Sequence, residues 1–151
     1  MIVARLTEDH VLKGFEWYDK VLAAGGSVAK NAYLLFELRS TTSKHLSPGD
    51  TAYPRVAGGR HVLLIGTGTA NDAPQEELEL AEKLIHEGQT MILGEGVKPN
   101  IVPNGIEHFH DMRDVYGKSY ARLQAIKRHY DPKNRLGGPI SPFDEPKFGE
   151  R

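Results

Sequence analysis

Apolar positions recur along the chain in blocks whose spacing changes from two to three-and-four and back, and that alternation gives the elements. Ile2–Leu6 alternates loosely and predicts a short strand. Thr7 then offers a side-chain oxygen as N-cap, and Glu8 and Asp9 fall in a first turn where the helix dipole favours negative charge. Val11, Phe15, Tyr18 and Leu22 share one face of the predicted helix, with Leu12 beside it. Trp17 falls off that stripe, which predicts a partly covered tryptophan at the helix shoulder. Gly25-Gly26 supplies the left-handed exit. Ala32–Arg39 is apolar on both faces, Tyr33 and Leu35 on one and Leu34, Phe36 and Leu38 on the other, so a central strand covered on both sides is expected.

The second half of the pattern follows the same logic. Ser40–Gly49 reads as polar loop, and Pro54 restricts Tyr53–Val56 to a short edge strand. Gly58-Gly59 turns the chain into a strand over His61–Thr67. Asp72, Pro74 and Gln75 form a helix start, with Asp72 as the cap. Leu78, Ala81, Leu84 and Ile85 make the next stripe, Glu79 and Lys83 sit at pairing distance, Gly88 stops the helix, and Thr90–Leu93 is a short strand. Gly94–Gly105 is irregular and Ile106–Val115 helical. Tyr116, Tyr120, Leu123, Ile126 and Tyr130 then mark one amphipathic helix that Asp131-Pro132 ends. The order β-α-β-β-α-β over Ile2–Leu93 is that of a ferredoxin-like unit, an antiparallel sheet backed by helices. The expected class is α+β, with a C-terminal helical segment; residues 1–94 form one domain and 95–151 the segment.

Composition narrows the function. The chain has 151 residues, 39% hydrophobic and 26% charged, with a net charge of −1. No global field therefore favours nucleic acid or a membrane surface, and neither is expected as a partner. There is no cysteine, which removes disulfides, thiol chemistry and thiolate metal sites. Met1–Leu6 is too short and mixed for a signal peptide core, which leaves compartment open, and no apolar run approaches the ~20 residues of a membrane span.

Candidate chemistry is sparse. Gly66-x-Gly68 follows a strand, but the third glycine of a dinucleotide loop is replaced by Asn71, and Asp72, Glu76 and Glu77 would repel a pyrophosphate. His108 and His110 point about 200° apart on a helix and cannot share one ion, so no metal site is expected. Arg55, Arg60, His61 and Lys44 read as a solvated basic rim. Asn100 stands out, held among Gly94, Gly96, Pro99 and Pro103, where a turn asparagine is the simpler account.

The wording of the last helix is more specific than its period. Tyr116-Gly117, Tyr120-Ala121-Arg122-Leu123, Ile126-Lys127, Tyr130-Asp131-Pro132 and Asn134 resemble the C-terminal segment of the berberine-bridge-enzyme-like flavin oxidases, within the vanillyl-alcohol-oxidase superfamily. That segment runs Y-G-x-N-Y-x-R-L-x-x-I-K-x-x-Y-D-P-x-N-x-F; here Ser119 replaces its first asparagine and Leu136 its last aromatic. Lys98-Pro99-Asn100 is similar to the family's Y-x-N, with lysine for tyrosine, and Thr51-Ala52-Tyr53-Pro54-Arg55 is similar to its T-A-F-P-H-R.

The resemblance implies the substrate-domain and C-terminal portion of an FAD-dependent oxidase, in a family often secreted. The family oxidises an alcohol, sugar or amine by hydride transfer to flavin, with dioxygen as acceptor. It implies Asn100 and Asn134 near the flavin, and a tyrosine or acid on the sheet as base, for which Tyr33, Glu37 and Tyr53 are the candidates. The family's FAD-binding domain lies upstream of this region and nothing in Met1–Gly26 replaces it. The implied partners are therefore a flavin-binding domain or chain and a small-molecule substrate, and the chain alone would be inactive. The rival reading is a self-sufficient small α+β protein that binds a ligand or dimerises without catalysis, because such folds host many functions.

Overall fold

The computed structural model describes residues 1–39, 51–53, 61–70, 72–107 and 109–137. The chain divides into two compact units, Met1–Thr42 with Gly58–Asn100, and Ser43–Ala57 with Ile101–Arg151.

In the first unit a three-stranded antiparallel sheet, β1 (Ile2–Val3), β2 (Tyr33–Glu37) and β3 (His61–Gly66), has the order β1-β3-β2. Helix α1 (Glu8–Ala24) leaves β1 and leads through the short α2 (Gly26–Lys30) to β2. Strand β3 then inserts between the two, giving the split β-α-β expected of a ferredoxin-like α+β fold. The start of α1 is set locally: Thr7 Oγ1 accepts from His10 N at 3.2 Å while His10 Nδ1 accepts from Thr7 N. Gly25 and Gly26, at φ 71° and 66°, make the exit that a side chain would oppose.

Several expectations give way here. The buried face of α1 is Gly14, Trp17 and Val21, not the Val11–Phe15–Leu22 stripe, and Phe15 is 53% exposed. Trp17 is fully buried at the centre of a cluster with Val21, Val28 and Leu84, and its Nε1 donates to Leu84 O at 2.7 Å. Helix α3 begins at Gln75 with Pro74, not Asp72, in the cap position, and runs unbroken through Gly88 to Leu93, so Thr90–Leu93 is helix rather than a fourth strand. Gly88 does not stop the helix because its missing side chain is where Trp17 packs: a Cβ there would lie 2.5 Å from Trp17 Nε1. The central strand is β3, with Leu63 fully buried; β2 lies at the edge, one face on α1 and the other open. Finally, Lys83 faces Glu87, which Lys20 also reaches at 2.7 Å, while Glu79 accepts from Gln75.

Met1 belongs to the second cluster, with Leu63 and Ile92. Its α-amino group donates to Leu63 O at 2.7 Å, and burial lowers its pKa to about 6. On the outer side of β1, Ile2 N donates to Asn100 O at 2.8 Å.

In the second unit, a 3-10 turn over Pro103–Gly105 precedes α4 (Met112–Tyr116) and α5 (Tyr120–Tyr130), joined by a 3-10 turn over Gly117–Ser119. The expected helix over Ile106–Val115 starts only at Met112, because Asp111 accepts from Arg113 N at 2.8 Å and caps it there. The expected single helix through Tyr116 is broken at Gly117, whose φ of 50° leaves the helical region. The expected Tyr53–Val56 strand and the Gly58-Gly59 turn lie outside the described residues, apart from Tyr53.

Gly88→Ala tests the seat of Trp17. Alanine gains about 1 kcal/mol in helix propensity, but the indole is pinned by its own hydrogen bond, and overpacking costs ~1–3 kcal/mol. The expected outcome is net destabilisation in urea melts, with no comparable loss for Leu22→Ala, whose side chain is exposed.

Candidate functional site

The open face of the sheet is the first candidate surface. Residues opposite one another in an antiparallel pair share a face. Tyr33 opposes Gly66, Leu35 opposes Leu64 and Glu37 opposes Val62. Leu34 and Phe36 point the other way, toward Gly14 of α1, where a Cβ would meet their side chains at 3.4 and 3.1 Å. Tyr33 and Glu37 therefore stand on the open face, as period two requires. The Tyr33 ring lies across Gly66, with Cε1 only 2.1 Å from where a Cβ would be. Gly66 is thus needed for close approach rather than for backbone freedom. Glu37 accepts from Arg39 Nη2 at 3.0 Å. Tyr53, the third candidate base, is exposed in the second unit.

Of the two candidate flavin contacts, Asn100 closes the first unit. Its backbone carbonyl is taken by Ile2 and its side chain is exposed. Asn134 belongs to the second unit and is the one described non-glycine residue at positive φ, 49°. What puts it there was not visible in the spacing. The Asp131 carboxylate is buried and accepts from Lys127 Nζ, from Arg135 N at 2.7 Å and from Leu136 N at 2.9 Å, while Asn134 N donates to Asp131 O. The Tyr-Asp-Pro-Lys-Asn stretch is therefore a carboxylate-clamped turn in which asparagine tolerates the left-handed position. The bonded Lys127 ammonium, helped by the Leu136 and Arg135 amides, holds the Asp131 carboxyl below its usual range against the opposing effect of burial.

That clamp presents an apolar surface. Tyr130 is 78% and Leu136 84% exposed, and Ile126 is exposed beside Tyr130 in the last turns of α5. The stripe expected to be core is buried only at its start, at Tyr120. Arg122, Arg128, Lys133 and Arg135 are exposed around it, and α5 carries no acidic residue. Burial pushes the Tyr116 phenol up, so it stays protonated at neutral pH.

The family model described as "Berberine and berberine like" matches residues 110–137. This stretch is similar to the berberine-like segment. It falls where the resemblance to the C-terminal portion of berberine-bridge-enzyme-like FAD-linked oxidases is strongest. No curated protein and no solved structure matches the chain.

The berberine-like segment spans α4, the Gly117 break, α5 and the Asp131 clamp. At its first residue, His110 Nδ1 accepts from Glu107 N at 2.8 Å and the ring packs on Phe109. His108 lies outside the described residues. Among the described residues no three His, Asp or Glu side chains converge to hold a metal ion, and no helix is long and apolar enough to cross a membrane.

Among the described residues, the Gly66–Gly68 turn and the start of α3 do not fit the pyrophosphate of FAD. The Gly66–Gly68 loop is filled from the side by Asn31, whose Cβ lies 2.6 Å from a Cβ position on Gly68. Helix α3 opens with Glu76 and Glu77, and Glu77 accepts from Ser27 N and Oγ. An anion has no place at that terminus.

Asp131→Ala should leave the Arg135 and Leu136 amides without their acceptor. Their hydrogen exchange is expected to accelerate while that of Leu63 stays unchanged. In the native chain the same protection follows the carboxylate: its folded pKa is depressed, so the contribution is complete above the ordinary carboxylate range of about 4 and is lost as pH falls through the lower folded value. Protection that persists in Asp131→Ala would show the turn to be held by something else.

Proposed function

We propose that this chain is the substrate-facing and C-terminal part of an FAD-dependent oxidoreductase that oxidises an alcohol, sugar or amine by hydride transfer to flavin, with dioxygen as final acceptor. The observation that carries this reading is the berberine-like segment, supported by its clamped turn at Asp131–Asn134. In this reading the flavin is held by a separate flavin-binding domain or chain, because the described residues form no pyrophosphate site. The protein's share of such chemistry is binding, orientation and electrostatics, and the electron transfer belongs to the cofactor.

Two surfaces fit those tasks. The exposed β2 half of this sheet face carries Tyr33, Leu35 and Glu37, with Leu64 half-buried and Val62 buried beside them on β3, an apolar floor with a phenol and a carboxylate that could orient a small polar substrate. The exposed Ile126, Tyr130 and Leu136, rimmed by Arg122, Arg128, Lys133 and Arg135, fit a partner surface that is apolar at its centre and acidic at its rim. Asn100 and Asn134 are the side chains proposed to meet the flavin.

The purified chain alone should be colourless and should not bind FAD tightly by isothermal titration. Co-purified with a flavin-binding domain from its own locus it should turn yellow, and Tyr130→Glu or Leu136→Glu should abolish co-purification while leaving the melting profile of the chain unchanged. Sub-micromolar FAD binding by the chain alone would overturn this reading.

A further inference from the structure

The two edges of the sheet are finished differently. On the β1 side Ile2 N–H is taken by Asn100 O. On the β2 side, among the described residues, five consecutive positions, Tyr33 to Glu37, pair with β3 and with nothing beyond. Edge strands are ordinarily protected by proline, lysine, a bulge or brevity. Tyr33-Leu-Leu-Phe-Glu37 has no proline, no lysine and an unbroken register.

The orientation of that edge is readable. Arg39 N–H turns toward β3, donating to His61 Nδ1 at 3.3 Å. By the alternation of an antiparallel ladder, the amide and carbonyl groups of Leu34 and Phe36 then face outward. The strand is also symmetric about Leu35 in the way self-pairing requires. With Leu35 opposite its own copy, Leu34 lies opposite Phe36 on the helix-backed side, an aliphatic–aromatic pair. Tyr33 lies opposite Glu37 on the open side, so the one charge of the strand meets a phenol and never its like. Phe15 of α1, 53% exposed and 6.2 Å from the Phe36 ring, flanks the same edge and would be covered by the approach of a second copy.

We propose that β2 pairs antiparallel with β2 of a second copy of this chain, Leu35 opposite Leu35, and that the pairing completes the polar site on the open face. Within one copy Tyr33 and Glu37 are four residues apart, so about 13 Å along the strand, too far to act on one polar group. Across the two-fold, Tyr33 and the second copy's Glu37 become direct neighbours at about 5 Å between Cβ atoms. Each dimer then carries two such phenol–carboxylate pairs, one donor and one acceptor each, on a continuous open sheet. The assignment of the pair to a small polar substrate rests on the proposed function; the dimer itself needs no flavin, so its test fails or succeeds separately.

Because the chain has no cysteine, single introduced thiols report the register without background. At a non-hydrogen-bonded antiparallel pair the Cα atoms lie about 4.5 Å apart, within the disulfide range. Leu35→Cys should therefore oxidise to a covalent dimer, whereas Tyr33→Cys and Glu37→Cys alone should not, their symmetry mates lying roughly 13 Å apart. Mixed together, those two variants should form a cross-linked heterodimer. Light scattering on the native chain should give twice the chain mass, and Leu35→Lys should return it to the single mass with Trp17 fluorescence unaltered. A native chain that stays at single mass across the concentration series, or Leu35→Cys that cross-links no faster than Tyr33→Cys, would overturn the proposal.

Discussion

The indole of Trp17 sits where α1 and α3 meet the sheet, and the first unit is arranged to let it in. Its ring nitrogen would be an orphaned donor in that position, at a cost of about 1–3 kcal/mol, without a partner. Leu84 O supplies it, although the carbonyl belongs to a helix whose own ladder could claim it. The space comes from Gly88 one turn later, and Val21, Val28 and Leu84 close around the ring. Helix α3 continues past its glycine, and Ile92 there joins Leu63 and Met1 in the second cluster. The length of α3 and the helical state of Thr90–Leu93 go together with this accommodation.

The class and the chain order were legible because they rest on period. Two-residue alternation placed Tyr33, Leu35 and Glu37 on one face of β2, and three-and-four spacing located α1, α3 and α5. The errors share a cause, in that local signals were overruled by close approach. Gly88 carries a helix-stop signal in isolation, and Thr90-Met-Ile-Leu93 has strand preference, but tertiary packing outweighs propensities worth about 1 kcal/mol or less. On α1 the apolar count pointed to Val11, Phe15 and Leu22, whereas the pairing of Gly14 with Trp17 marked the true inner face. A glycine inside a helical pattern, read as a place where something large comes close, would have found both.

The C-terminal segment was legible differently, as wording rather than as period. Tyr130-Asp131-Pro132 and Asn134 stood out before any geometry was known, yet the sequence could not say that Asp131 is buried and clamps two later amides. A carboxylate that binds residues four and five positions ahead leaves no periodic trace. Nor could it separate the residues that build the turn from those that the turn displays, Leu136 and Tyr130, the latter marked by spacing as part of the apolar stripe.

The burial of the single tryptophan also decides what an optical experiment on this protein can see. Trp17 lies in the first unit, and the second holds Tyr53, Tyr116, Tyr120 and Tyr130 but no tryptophan. Excitation selective for indole therefore reports the opening of α1 from α3 and is blind to the berberine-like segment. The loss of that segment's helices, or its capture by a partner, would register in tyrosine emission and far-ultraviolet dichroism while the tryptophan signal stayed flat. A two-step unfolding could thus pass for one step, or a folded-looking emission spectrum could come from a molecule whose C-terminal third is already loose.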